Sequence, residues 1–188
     1  MSYFDRPENV KNYINMAEGF DGRNLIKILK DYLHQDASVL ELGMGPGKDL
    51  DLLKGRYQAI GSDYSRLFLE YYQKKNPNAD LLHLDAISLL TERSFDCIYS
   101  NKVFHLFPIE KIQQSLKRQY RILNKNGICL HSFWYGNESG EIQGLKYYYY
   151  TEKSILTSFF SEFELLEFKR YSEIDENDSF YLLLKKNE

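Results

Sequence analysis

The sequence predicts an α/β fold, in which a mostly parallel β-sheet is covered by helices on both faces and closed by a reversed final strand. Two observations carry this. Five short apolar runs bounded by turn residues alternate with segments of helical spacing, the order that builds βαβ crossovers and hence a parallel sheet. Near the C-terminus the alternation gives way to two long strand-like runs joined by a polar turn, the pattern of an antiparallel hairpin. At 188 residues, 43% apolar and 15% aromatic, the chain fits one ordinary domain with an ample core.

The elements follow in order. "NVKNYINMAEGFDGRNLIKILKDYL" predicts a helix from about Arg23 to Leu33, preceded by a shorter helical or irregular lead able to close over a site. The strand-like runs are "SVLEL" (Ser38–Leu42), "YQAIGSD" (Tyr57–Asp63), "DLLHLD" (Asp80–Asp85), "SFDCIYS" (Ser94–Ser100) and "GICLHSFW" (Gly127–Trp134). Leu50 and Leu53 place a helix after the first; Phe68, Tyr71 and Tyr72 place one after the second, stopped by Pro77; Ile112, Leu116, Tyr120 and Leu123 place one after the fourth. The run "TEKSILTSFF" (Thr151–Phe160) is helix-like, and "FELLEFKRYSEI" and "DSFYLLLKK" form the hairpin around the turn "DEND" (Asp175–Asp178).

Composition narrows the function. Twenty-four basic against 27 acidic residues leave a net charge of −3, so nothing global attracts nucleic acid or an anionic membrane. There is no signal-peptide pattern and no apolar stretch that could span a bilayer, which predicts a soluble cytoplasmic protein without membrane partners. Cys97 and Cys129 each lie inside an apolar run and read as buried reduced thiols, with no metal site.

The chemistry starts at "VLELGMGPGKDLDLL". A glycine turn between a first parallel strand and its helix lets a ligand approach the main chain where a Cβ would collide, and aims helix N-terminal amides at it. The glycines fall at Gly43, Gly45 and Gly47, and Lys48 stands where a dinucleotide fingerprint needs its third glycine. A triphosphate loop fails too, because Lys48 is followed by Asp49. Asp63 ends the second strand about 20 residues on, where a carboxylate can accept both ribose hydroxyls, each charge-assisted bond contributing roughly 1.5–3 kcal/mol. Asp85 ends the third strand and could accept from an adenine amino group. Together they describe a crevice for an adenosine not attached through a pyrophosphate.

With these residues the chain resembles the class I S-adenosylmethionine-dependent methyltransferases. "VLELGMGPG" matches the acid-x-Gly-x-Gly-x-Gly loop, "GSDYS" the ribose acid, "LHLDA" the adenine-side acid, "FDCIYSNKVFHLF" the fourth-strand segment and "LNKNGICLHSF" the entry to the fifth strand, in order over Ser38–Phe133. The resemblance implies a Rossmann-like doubly wound seven-stranded sheet of order 3-2-1-4-5-7-6, strand seven antiparallel. It implies one methyltransferase domain, with residues 1–33 as N-terminal lead or lid, 38–133 as cofactor-binding core and 134–188 as acceptor-side aromatic segment, helix and hairpin. It implies S-adenosylmethionine as cofactor and an unidentified small-molecule methyl acceptor. Glu41 and Gly43 would line the methionine end, Asp63 would hold the ribose, Tyr64 would lie against the adenine and Asp85 with Ala86 would meet its edge. Ser100, Asn101 and Lys102 would face the reacting methyl group, and Arg23 is a candidate donor to the cofactor's carboxylate.

Other residues admit two readings. His105 could take the acceptor's proton or pack beside Phe104 and Phe107. Tyr13, Trp134, Tyr135 and the tyrosines of "KYYYYTEKS" could wall an acceptor pocket or serve as core. A buried Glu41 needs a partner, in the glycine loop or the lead. His83 and His131 read as structural. A protein that holds the cofactor without turnover, and a methyltransferase acting on RNA or protein, are the competing functions; the amino-group signature of base methyltransferases is replaced by "SNKV".

Overall fold

The computed structural model describes residues 3–142, 144–156 and 162–187. After a 3-10 turn at Tyr3–Asp5, the N-terminal lead forms α1 (Pro7–Met16), started by Pro7 in its first turn. The helix expected over Arg23–Leu33 divides into α2 (Arg23–Ile28) and a 3-10 turn, Leu29–Asp31, with Leu25, Ile26 and Leu29 buried.

The strands are β1 (Ser38–Leu42), β2 (Gln58–Asp63), β3 (Leu81–His83), β4 (Phe95–Asn101), β5 (Leu123–Trp134), β6 (Ser139–Ile142), β7 (Leu145–Tyr148), β8 (Phe163–Tyr171) and β9 (Ser179–Lys186). Seven of them form one sheet in the order β3-β2-β1-β4-β5-β9-β8. Pairing is parallel from β3 through β5, and β9 runs antiparallel to both β5 and β8. This is the architecture the resemblance implies, with β9 as the reversed strand. The short β6–β7 ribbon is additional: the tyrosine run pairs Leu145–Tyr148 with Ser139–Ile142. The remaining helices are α3 (Lys48–Lys54), α4 (Arg66–Lys75), α5 (Ile109–Ile122) and α6 (Glu152–Leu156). The tail of the helix expected over Thr151–Phe160, residues 157–160, lies outside the described residues.

Strand alternation divides the core between the two faces of the sheet. Val39, Cys97, Tyr99, Leu130 and Leu183 pack with α2, α3 and α4, while Leu40, Ile98, Cys129, Phe133 and Leu182 pack with α5 and Ile155 of α6. Both cysteines are free and buried on opposite faces. Among the described residues no helix is long and apolar enough to cross a membrane.

The register brings one row of residues to the carboxyl edge of the sheet. Asn101 pairs with Ser132, Trp134 with Ser179, and Ser179 with Tyr171, so the turn between β8 and β9 returns to the edge where β1, β2 and β4 end.

Candidate active site

The glycine turn joins β1 to α3 as expected. Gly43, Gly45 and Gly47 have φ of 64°, 50° and 86°, the left-handed region that side chains rarely enter. A Cβ on Gly47 would lie 2.2 Å from the Tyr72 ring, so only glycine closes that corner. A Cβ on Gly45 would meet the Tyr13 ring at 3.4 Å, which places α1 directly over the turn.

Asp63 points into this turn. Its Oδ2 accepts the Gly45 N–H at 2.9 Å and its Oδ1 accepts the Ser65 N–H at 2.8 Å. Burial raises its pKa against the pull of those amides and of His83. Glu41 is 3% exposed, and among the described residues its Oε2 has no hydrogen-bond partner. Burial, aided by Asp49 and Asp63, holds its pKa well above the carboxylate range. The partner expected for it in the loop or lead is not supplied to that oxygen.

Asp49, in the first turn of α3, is a hub that sequence reading passed over. Its carboxylate accepts Gly22 N–H (2.6 Å), the Tyr99 hydroxyl (2.7 Å) and Asn101 Nδ2–H (3.1 Å), tying the lead, β4 and the glycine turn together. The one signal available was an acid directly behind the loop in the first turn of an apolar helix. Lys48 Nζ adds a bond to the Ala17 carbonyl at 2.6 Å. Tyr13 completes the cover: its ring meets Phe4 and Phe68 edge-on, and its hydroxyl is pushed up to about 12 by burial and by the carboxylates of Asp63, Asp49, Glu173 and Glu41.

Other expected residues are placed differently. Arg23 forks onto Asp21 with bonds of 2.6–3.1 Å and is exposed, so its guanidinium is committed two residues away and not to the loop. Ser100 does not face the reacting edge. Strand alternation sends Tyr99 and Asn101 to the Asp49 side and Ser100 to the other, where its hydroxyl meets His131 Nδ1 at 2.8 Å. His131 Nε2 contacts Gln119 Oε1, and Gln119 donates to Ser115, forming a buried polar chain beneath the sheet. Asp85 Oδ1 accepts the Ile87 and Ser88 amides, and the Ala86 carbonyl accepts Ser115 Oγ. Tyr64 is exposed beside the ring of His83, whose Nε2 contacts the Tyr64 carbonyl. His83 is therefore a surface residue.

On the far side of β4, Lys102 turns away from the loop. With φ of 54° it leaves the strand and runs along β5, its Nζ reaching the Phe133 carbonyl (3.2 Å), Ser179 Oγ (2.5 Å) and Glu173 Oε2 (2.9 Å). It lies 3.7 Å above the Trp134 ring, as Arg170 lies 3.6 Å above Tyr135, so one face of each of these two rings already carries a cation. His105, on the 3-10 turn Phe104–Leu106, has a buried Nδ1 with no partner among the described residues. Burial and the nearby Lys102 lower its pKa to about 4.

A family model described as a methyltransferase domain matches residues 39–127, the span from the first strand to the start of the fifth. Over that span the chain is similar to the class I S-adenosylmethionine-dependent methyltransferase family. The fold is similar to an S-adenosylmethionine-dependent methyltransferase from Clostridium acetobutylicum (TM-score 0.78, 12% identity, covering 95% of this chain and 99% of that one). It is similar also to a TehB-like methyltransferase from Corynebacterium glutamicum (0.76, 17%, 97% and 100%). A third likeness is to the N-methyltransferase NodS from Bradyrhizobium japonicum in complex with S-adenosyl-L-homocysteine (0.75, 10%, 100% of each chain). No curated protein matches the chain by sequence.

The methyl donor of this family is S-adenosylmethionine, and the site's donor set fits it. The buried Glu41 Oε2 has no hydrogen-bond donor among the described residues, a place the ligand's α-ammonium would fill. Asp63 stands beside the Gly45 amide of the turn, and its carboxylate has acceptor capacity that would suit a diol.

Proposed function

We propose that the chain is an enzyme that binds S-adenosylmethionine across the ends of β1, β2 and β3 and transfers its methyl group to a small-molecule acceptor. The observation that carries this is the pairing of an Asp63 carboxylate aimed at the Gly45 amide with an unpartnered Glu41 oxygen on the other side of the same turn. Glu41 and the Gly43 main chain would hold the methionine end, Asp63 the ribose, and Tyr64, Asp85 and Ala86 the adenine side.

Bound S-adenosylmethionine supplies a methyl group already activated on a sulfonium, so the protein's work is to align the acceptor with it. Such positioning can contribute about 7–11 kcal/mol. Tyr13, resting on the glycine turn, closes the site from above and excludes water from the carboxylates around its hydroxyl. Asn101 keeps the end of β4 rigid through Asp49 and Ser132. His105, neutral above about pH 4 and holding a free Nδ1, is the residue we assign to receiving the acceptor's proton. The chain's acidic balance, and an edge crowded with carboxylates, favour a small molecule over nucleic acid.

Calorimetric titration tests the first step: S-adenosylmethionine should bind and NAD should not. Binding of NAD in its place would sink the reading. For His105→Ala, turnover should fall by about 10²–10⁴-fold with donor affinity unchanged, and full activity would make His105 a packing residue.

A further inference from the structure

The turn between β8 and β9 is built to present one side chain at the acceptor end of the sheet. Asp178 accepts the amides of Glu173, Ile174 and Asp175 at 2.9–3.0 Å, winding the turn so that Glu173 faces inward. Glu173 Oε2 then receives Lys102 Nζ at 2.9 Å and the Tyr171 hydroxyl at 3.3 Å. Tyr171 is level with Ser179 and, through it, with Trp134 at the end of β5, so the carboxylate stands on the edge where β4 and β5 finish.

Counting donors decides which member of the ion pair is available. Lys102 has three N–H groups, and Phe133, Ser179 and Glu173 take all three; its side chain is 10% exposed. Lys102 is therefore a holder with nothing left to offer an anion. Glu173 is 21% exposed, and among the described residues no hydrogen bond goes to its Oε1. Glu173, like Asp63 and Asp49, acts on the Tyr13 hydroxyl that rests over the glycine turn, so its carboxylate lies within electrostatic reach of that turn. An open carboxylate oxygen at that edge repels an anionic acceptor and attracts a cationic one.

We propose that Glu173 Oε1 binds the methyl acceptor and selects a protonated amine. This rests on the methyltransferase reading and names the substrate class of the same site. One proton leaves the ammonium, taken up by His105 Nδ1 and passed on to water, before the nitrogen can attack. A remaining N–H keeps its bond to Oε1, which turns the nitrogen lone pair toward the methyl carbon. The new N–C bond forms as the S–C bond breaks with its electron pair passing to sulfur, giving a methylated ammonium and a neutral thioether. Lys102 and Tyr171 are positioning residues, fixing Oε2 so that Oε1 points into the site.

The test titrates benzylamine, 2-phenylethylamine and hexylamine, each against its matching alcohol, into the full chain saturated with S-adenosylhomocysteine. The ammonium probes should bind about tenfold or more tightly than the alcohols, the worth of one charge-assisted hydrogen bond. Glu173→Gln should abolish that preference while leaving S-adenosylhomocysteine affinity unchanged, and Glu173→Asp should retain part of it. Equal binding of amines and alcohols, or a preference that survives in Glu173→Gln, overturns the proposal while leaving the methyltransferase reading intact. Failure of S-adenosylhomocysteine to bind the wild type overturns that reading, and this inference with it.

Discussion

The two ends of the sheet's carboxyl edge are built by different means. At β1 and β2 the site is main chain and short acids: three left-handed glycines, the Gly45 amide and Asp63, all within about 20 residues of chain. At β4, β5 and β9 it is long side chains from distant segments, with Lys102 meeting Ser179 across 77 positions and resting on Trp134 and Tyr171. The first end is rigid because its shape is backbone geometry. The second holds its shape through one partly buried ion pair and its aromatic floor, so substitutions can alter it without touching the first.

Breaking the rigid end should cost most. Gly47→Ala puts a Cβ inside the Tyr72 ring at a φ of 86°, and we expect a stability loss of about 2–5 kcal/mol by urea unfolding. A loss under 1 kcal/mol on that scale would show that the turn yields, and the contrast between the ends would weaken. Asp63→Ala should leave the fold intact and lower S-adenosylmethionine affinity by about ten- to a hundred-fold, the worth of one charge-assisted bond. Unchanged affinity would move the ribose contact elsewhere.

A third prediction concerns acid. Burial lowers His131 to about 3, and burial with Lys102 lowers His105 to about 4, whereas in the unfolded chain both titrate near 6.5. Between those values the unfolded chain binds more protons, so stability falls as pH drops below about 6.5 and is fully present above it. Going from pH 6.5 to 5.5 should cost about 1 kcal/mol per histidine, measured by denaturant midpoint. His131→Gln should remove its share; an undiminished slope in that variant would place the acid sensitivity elsewhere. The smallest effect is expected at Arg23. Its guanidinium is exposed and paired locally with Asp21, so Arg23→Ala should change neither melting temperature nor cofactor affinity. A clear fall in affinity would restore it as a donor to the cofactor's carboxylate.

The legibility of the site follows the same division. Gly43, Gly45, Gly47 and Asp63 could be read because a left-handed turn and a strand-end acid impose residue types at fixed spacing. A parallel sheet with a reversed final strand was legible from the alternation and the terminal hairpin, whereas the strand order came from the family resemblance. Ser100 was misplaced because one residue of strand alternation separates the reacting edge from the His131 network. Asp49 and Glu173 were passed over: the first looks like any acid in a first helical turn, and nothing local to "YSEIDEND" says that Asp178 will wind Glu173 inward.

By itself, then, the amino-acid sequence determined the sheet, its helices and the cofactor turn, because those depend on local backbone conformation and on periodicity that each segment carries within itself. Only the tertiary structure decided what Lys102 and Arg23 hold, which face Ser100 takes and that Glu173 reaches the carboxyl edge of the sheet. Such contacts join residues far apart in the chain, and the register of β5 against β9 and of β9 against β8 decides which of them meet.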